Sequence, residues 1–155
     1  MKNFILFTFV MGFQVLSAQL VEWKWDLYKI KFEAPGSFKV SKNDKTEFSA
    51  GDEHIYFSIF PEKNEDNTKQ EHYEDDLIAW ANDSKISYNG EVGFLEDLNG
   101  YWGYYIDGVA DNGNPTSVFV LVDPDFPELY FFIWVQYQEE YYEQALEILM
   151  TISPI

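Results

Sequence analysis

Residues 129–137, Leu-Tyr-Phe-Phe-Ile-Trp-Val-Gln-Tyr, constrain the fold more than any other stretch of the chain. The run has strand length and is bounded by the rigid loop Asp123-Pro124-Asp125-Phe126-Pro127 and by a following helical pattern. A strand wet on one side alternates apolar with polar residues; this one is nearly all apolar at both parities. The sheet that contains it therefore needs a cover on each face.

Two segments have the spacing to supply covers. Thr68-Lys69-Gln70-Glu71 has the pattern of a capping box, and Tyr73, Leu77, Ile78, Trp80 and Ala81 follow as a helical stripe to about Asp83. Glu139 to Ile152 is the second expected helix, with the stripe Tyr142, Ala145, Leu146, Leu149 and Ile152. Glu139, Glu143 and Glu147 line its opposite side.

The remaining patterns are extended. Val21, Trp23, Trp25 and Leu27 alternate with charged residues, and Tyr28, Ile30 and Phe32 continue in the same way up to Pro35-Gly36. Phe38 to Val40 is a short return strand. Glu47 to Ala50 and His54 to Phe60 read as a hairpin, followed by a charged loop from Pro61 to Asn67. Val92 to Leu98, Tyr101 to Ala110 and Ser117 to Val122 form a meander. Its strongest turn signal is Asp111-Asn112-Gly113-Asn114. The expected fold is α+β: a mostly antiparallel sheet of about six or seven strands packed with two main helices.

The order and spacing resemble the superfamily of PsbP-like and Mog-like domains, α/β/α sandwiches on an antiparallel sheet. The resemblance covers roughly residues 26–153. It is carried by Tyr28-Lys29-Ile30-Lys31-Phe32-Glu33-Ala34-Pro35-Gly36-Ser37-Phe38-Lys39-Val40, by the helix with Tyr73 and Leu77, by Asn99-Gly100-Tyr101-Trp102 and by the closing Ile148-Leu149-Met150-Thr151-Ile152. Members include photosystem subunits, a Ran-binding protein and bacterial envelope proteins. The resemblance implies a fold and an adaptor-like habit, mostly without catalysis, and transfers no site residue.

The N-terminus predicts a compartment. Lys2, the apolar run Phe4 to Leu16 and the small residues of Leu16-Ser17-Ala18 have the three-part layout of a secretory signal peptide, with a cut after Ala18. Residues 1–18 are expected to be the leader and 19–155 a single domain. The leader resembles those of Gram-negative bacteria, which implies export to the periplasm or the exterior and no membrane attachment after cleavage. No Cys follows the cut to carry a lipid.

Charge and residue types narrow the chemistry. The 155 residues carry 27 acids and ten basic residues, all lysine, for a formal net charge of −17. A nucleic-acid binder needs a basic footprint that this chain lacks. Cys is absent, which excludes thiol catalysis, thiolate metal sites and disulfides. Without Arg there is no bidentate clamp for phosphate. Residues 19–85 hold 15 acids against nine lysines, whereas residues 86–155 hold 12 acids and no cation. That imbalance fits a solvated, self-repelling surface that keeps a secreted chain soluble, or an acidic half that meets something positive: a protein partner with a basic surface, or divalent cations.

No catalytic, metal or cofactor constellation stands out. His54 and His72 are the two imidazoles, and no Gly-x-Ser-x-Gly elbow accompanies them. His72 and Asp76 share a helix face, but two ligands do not make a metal site. Asp107 to Gly113 lacks the acid and glycine positions of a calcium loop; Asp123, Asp125 and Glu128 form a compact acidic cluster. The remaining feature is aromatic density, with adjacent pairs such as Tyr104 and Tyr105 facing opposite sides. The expected binding surface comprises Trp23, Trp25, Trp102, Tyr104, Asp123 and Asp125, with Trp23 and Trp25 exposed on the terminal segment. The function expected is a non-enzymatic exported interaction domain. The alternative is a carbohydrate or small-ligand binding domain that uses Trp and Tyr as flat platforms.

Overall fold

A computed structural model of the chain describes residues 19–65 and 69–155, the Glu71 side chain excepted. The expected leader, residues 1–18, and the expected Thr68 cap lie outside the described residues.

Among the described residues, ten strands form two antiparallel sheets. The order of elements is β1 (Leu20–Trp25), β2 (Ile30–Pro35), β3 (Lys39–Asn43), β4 (Phe48–Gly51), β5 (Ile55–Lys63), α1 (Gln70–Asp83), β6 (Gly93–Leu98), β7 (Tyr101–Val109), β8 (Pro115–Val122), β9 (Leu129–Tyr137), a turn of 3-10 helix (Glu139–Tyr141), α2 (Tyr142–Met150) and β10 (Ser153–Pro154). The large sheet runs β3-β4-β5-β9-β8-β7-β6, and a small one runs β1-β2-β10. The protein is an α+β sandwich, as the alternation and the two helical stripes predict.

β9 lies in the middle of the large sheet, paired from Leu129 to Tyr137 with β5 and from Tyr130 to Gln136 with β8. Its odd-numbered residues point to one face and its even-numbered residues to the other. Phe131, Ile133 and Val135 meet the small sheet and α2; Phe132 meets α1, with Tyr130 and Trp134 packed beside it. Covers on both sides explain why the run carries so little polarity.

On the α1 face, Tyr73, Leu77 and Ala81 are buried against Ile106, Val118 and Val120. Trp80 wedges between Phe132 and Trp134, at ring-centroid distances of 4.6 and 6.1 Å. The helix starts after Lys69, which makes no side-chain cap bond. On the opposite face Phe32 of the small sheet packs on Phe57 and Phe48, at 4.7 and 5.6 Å.

Four local expectations are corrected. Pro61 belongs to β5 and not to a loop: β4 stops pairing at Ile59, so beyond it one edge of β5 is free and a residue without an N–H is tolerated. The strand after the Asn-Gly turn begins at Pro115, not Ser117. The first strands form their own small sheet and do not extend the large one. The last helix ends at Met150, and Ile152 is buried from the extended chain that leads into β10.

Candidate functional site

An apolar opening lies against the large sheet, beside α2. The helix has nine residues, so it is about 13 Å long and cannot span a seven-stranded sheet. It packs on β2 and β9 through Ala145, Ile148 and Leu149. The neighbouring β6–β8 region of that face is left partly uncovered.

Side-chain hydrogen bonds fix the helix in that position. Asn99, in the turn between β6 and β7, donates from Nδ2 to the carbonyls of Met150 and Ile152 at 2.7 and 3.0 Å. The Met150 carbonyl is one of the acceptors that a helix C-terminus otherwise leaves open. Asn99 has φ of 54°, a left-handed conformation that Asn tolerates. The Thr151 hydroxyl accepts from the Glu33 amide at 2.8 Å and donates to the Ile148 carbonyl at 2.7 Å. The end of α2 is therefore tied to β2 and to the β6–β7 turn.

The resulting cleft has a volume of about 220 Å³. Tyr105, Phe119 and Tyr137 form its floor; Leu95 and Leu98 stand on the β6 side and Tyr142, Leu146 and Met150 on the α2 side. Tyr105 stacks on Phe119 at 5.9 Å and lies against Gly93, where an added Cβ would fall 2.0 Å from the ring. Gly93 thus lets the Tyr105 ring settle onto β6. On α2, Tyr142, Leu146 and Met150 recur every four residues along one side and are 48%, 37% and 57% exposed. The expected inward stripe is corrected here: Tyr142 and Leu146 face outward, and Ile148 takes an inward place.

One end of the cleft is polar. The Ser117 hydroxyl donates to Asp107 Oδ1 at 2.5 Å and is also in hydrogen-bond contact with the buried Tyr137 phenol. Burial raises the Tyr137 pKa, Ser117 opposes that shift, and the Asp107 charge adds to it. Ser117 is buried, whereas Asp107 is exposed at the opening.

The expected surface residues do not converge on this cleft. Trp25 is 2% exposed, packed on Tyr28 and Phe48, which overturns its expected exposure; Trp23 is half-buried and stacked 6.5 Å from Phe32. Their indole nitrogens are buried without a hydrogen-bond partner among the described residues. A terminal segment that pairs with a neighbour can bury its aromatics as well as a central strand does. Trp102 and Tyr104 lie half-buried on the α1 face, edge-on to each other at 79°, and Trp102 stands edge-on to Tyr73. They do not present the expected flat stacking platform. Asp123 is buried and its Oδ1 accepts from the Asp125 amide at 2.9 Å, so the pair builds the turn before β9, with Asp125 exposed.

The histidines have local structural partners. His54 stacks on Tyr141 at 4.0 Å, and its Nδ1 lies 3.1 Å from Gln138 Oε1, joining the start of β5 to the 3-10 turn. His72 is exposed in the first turn of α1. Among the described residues no group of three or more His, Asp or Glu side chains converges as a metal site would. None of the described helices is long and apolar enough to cross a membrane.

Sequence reasoning found the aromatic density but missed the cleft, which is formed by residues far apart in the chain. The one available signal was a surplus of apolar residues on α2: Tyr142, Leu146 and Met150 as well as Ala145, Ile148 and Leu149.

No protein-family model matches the chain, and no curated protein sequence does. Solved structures do. The Saccharomyces cerevisiae Ran-binding protein Mog1p is similar at a TM-score of 0.53 and 9% identity, over 88% of this chain and 95% of that one. A Mog1 point mutant is similar at 0.52 and 10%, over 86% and 95%. A Bacteroides thetaiotaomicron protein is similar at 0.50 and 11% identity, over 82% of this chain; the chain spans 45% of that protein. At such identities the likeness is one of fold: the chain is an α+β sandwich like that of Mog1p, as the family resemblance implies.

Proposed function

We propose that the chain is an exported, non-enzymatic interaction module that binds a protein partner with a basic surface. The observation that carries this reading is the surface around α2. Apolar Tyr142, Leu146 and Met150 lie exposed there beside Glu143 and Glu147, in the half of the chain that has no cation. Apolar residues grouped at a surface within a field of one sign suit a partner of the opposite sign. The Mog1-like fold of a Ran-binding protein supports a binding role. The engagement of His54 by Gln138 and Tyr141 favours a structural part for the better-placed of the two imidazoles. Export rests on the leader-like first 18 residues.

The test is chemical cross-linking in cells that express the full chain with its own leader. A discrete adduct in the envelope fraction, weakened by raised ionic strength, is the expected result. Chain found in the cytoplasm with its leader intact overturns export. Monomer alone after cross-linking overturns the interaction role.

A further inference from the structure

We infer that the α2 cleft receives one apolar side chain from an exposed segment of the partner protein, with a neighbouring lysine or arginine of that segment meeting Asp107. The inference rests on the interaction-module reading and assigns its binding site.

Size separates a side chain from a whole small molecule. Pockets for drug-sized ligands run to about 300–1,000 Å³. The cleft, at about 220 Å³, falls below that range. It is open along α2, where Leu146 and Met150 form a rim that an incoming chain would cover. A central buried anchor ringed by contacts that exclude water is the usual source of interface energy.

Chemistry sets the character of the anchor and its neighbour. Phe119, Leu95, Leu98 and Leu149 offer an apolar side chain a dry wall. The polar end offers a carboxylate: Asp107 holds one hydrogen bond from Ser117 and stands exposed at the opening. The only lysine near this half of the chain in sequence, Lys85, has its ammonium 3.7 Å from Asp111. Lys24 and Lys31 sit against Glu22, and Lys42 against Glu47, all within residues 19–85. The residues that line the cleft include one carboxylate, Asp107, and no cation, so an anionic segment entering it would be repelled and a cationic one would gain.

The test uses the full chain and labelled peptides that carry a single central leucine, flanked by lysines or by glutamates, read by fluorescence anisotropy. The lysine-flanked peptide binds, and replacing its leucine with serine weakens binding at least about tenfold. Leu146→Glu and Asp107→Asn each weaken it by a similar factor, while Phe94→Ser, on the exposed edge strand β6, leaves it unchanged. Asp107→Lys reverses the preference toward the glutamate-flanked peptide, a gain that misfolding cannot produce. Binding that ignores Leu146 and Asp107 overturns the cleft assignment and leaves the interaction role standing. Failure of the lysine-flanked peptide to bind better than the glutamate-flanked one overturns the assignment as well. The cross-linking experiment judges the interaction role separately.

Discussion

The two faces of the large sheet are covered differently. On one, α1 runs 14 residues, and its buried Tyr73, Leu77 and Ala81 seal β7 and β8, with Trp80 locked between Phe132 and Trp134. On the other, the small sheet and a nine-residue helix share the work and leave the β6–β8 region half open. The strands beneath are alike: β8 and β9 are apolar toward both sides. The difference teaches that exposure here is decided by the reach of the cover. A strand that expects two covers becomes a binding surface where one of them is short.

The largest effects should come from the closed regions. Phe57→Ala removes a fully buried ring wedged against Phe32 and should cost about 3–5 kcal/mol, and Leu77→Ala under α1 about 2–5 kcal/mol, read as shifts of the urea midpoint. A smaller loss for either variant than for a cleft-rim variant would break the comparison.

Asn99→Gly sharpens it next. Glycine accepts the positive φ, so the change isolates the two bonds to the end of α2 and should cost about 1–2 kcal/mol. Hydrogen exchange should speed up in α2 and stay constant in α1. Equal acceleration of both helices would show that the turn does not anchor the short cover.

Alkaline pH probes the α1 face. Burial, aided by the nearby Asp76 and Glu62 carboxylates, pushes the Tyr130 phenol up to about 12 from its ordinary value of 10.0. The folded state therefore holds the proton more tightly than the unfolded chain. The stabilising contribution is complete below pH 10 and is lost as pH rises toward 12. Denaturation midpoints should fall across that window, and Tyr130→Phe should flatten part of the fall. An unchanged slope in the variant would remove Tyr130 from the account.

The smallest effect belongs to the cleft rim. Leu146→Ala should change stability by no more than about 0.5 kcal/mol, because the side chain is already partly in water. A loss as large as that of Leu77→Ala would mean that the cleft is closed in solution.

Much of the architecture could be read from spacing. The two-sided run at Leu129–Tyr137 demanded covers, the stripe from Tyr73 to Ala81 supplied one, and Asn112-Gly113 marked the hairpin that joins β7 to β8. These signals are local, and local chemistry decides them. The layer a strand joins is not local: Ile30 and Phe32 alternate as a strand of the large sheet would, but they pair with β1 in a small sheet whose third strand, β10, lies more than 100 residues away. The cleft was illegible for the same reason. A helical stripe gives a period but not a phase, and six apolar residues on α2 did not reveal which three would find a partner. Trp25 was misread because a terminal position suggests exposure, whereas its burial follows from packing on Phe48. Asp123 and Asp125 were visible as a cluster; that they brace a turn depends on the backbone path.

Amide NMR shifts during titration of the full chain with the lysine-flanked leucine peptide would test the central claim most directly. The account expects the perturbed residues to gather at Tyr105, Asp107, Ser117, Leu146 and Met150, with Trp80, Trp102 and Trp134 unmoved. Perturbations centred on the α1 face, or scattered evenly over the acidic surface, would contradict it.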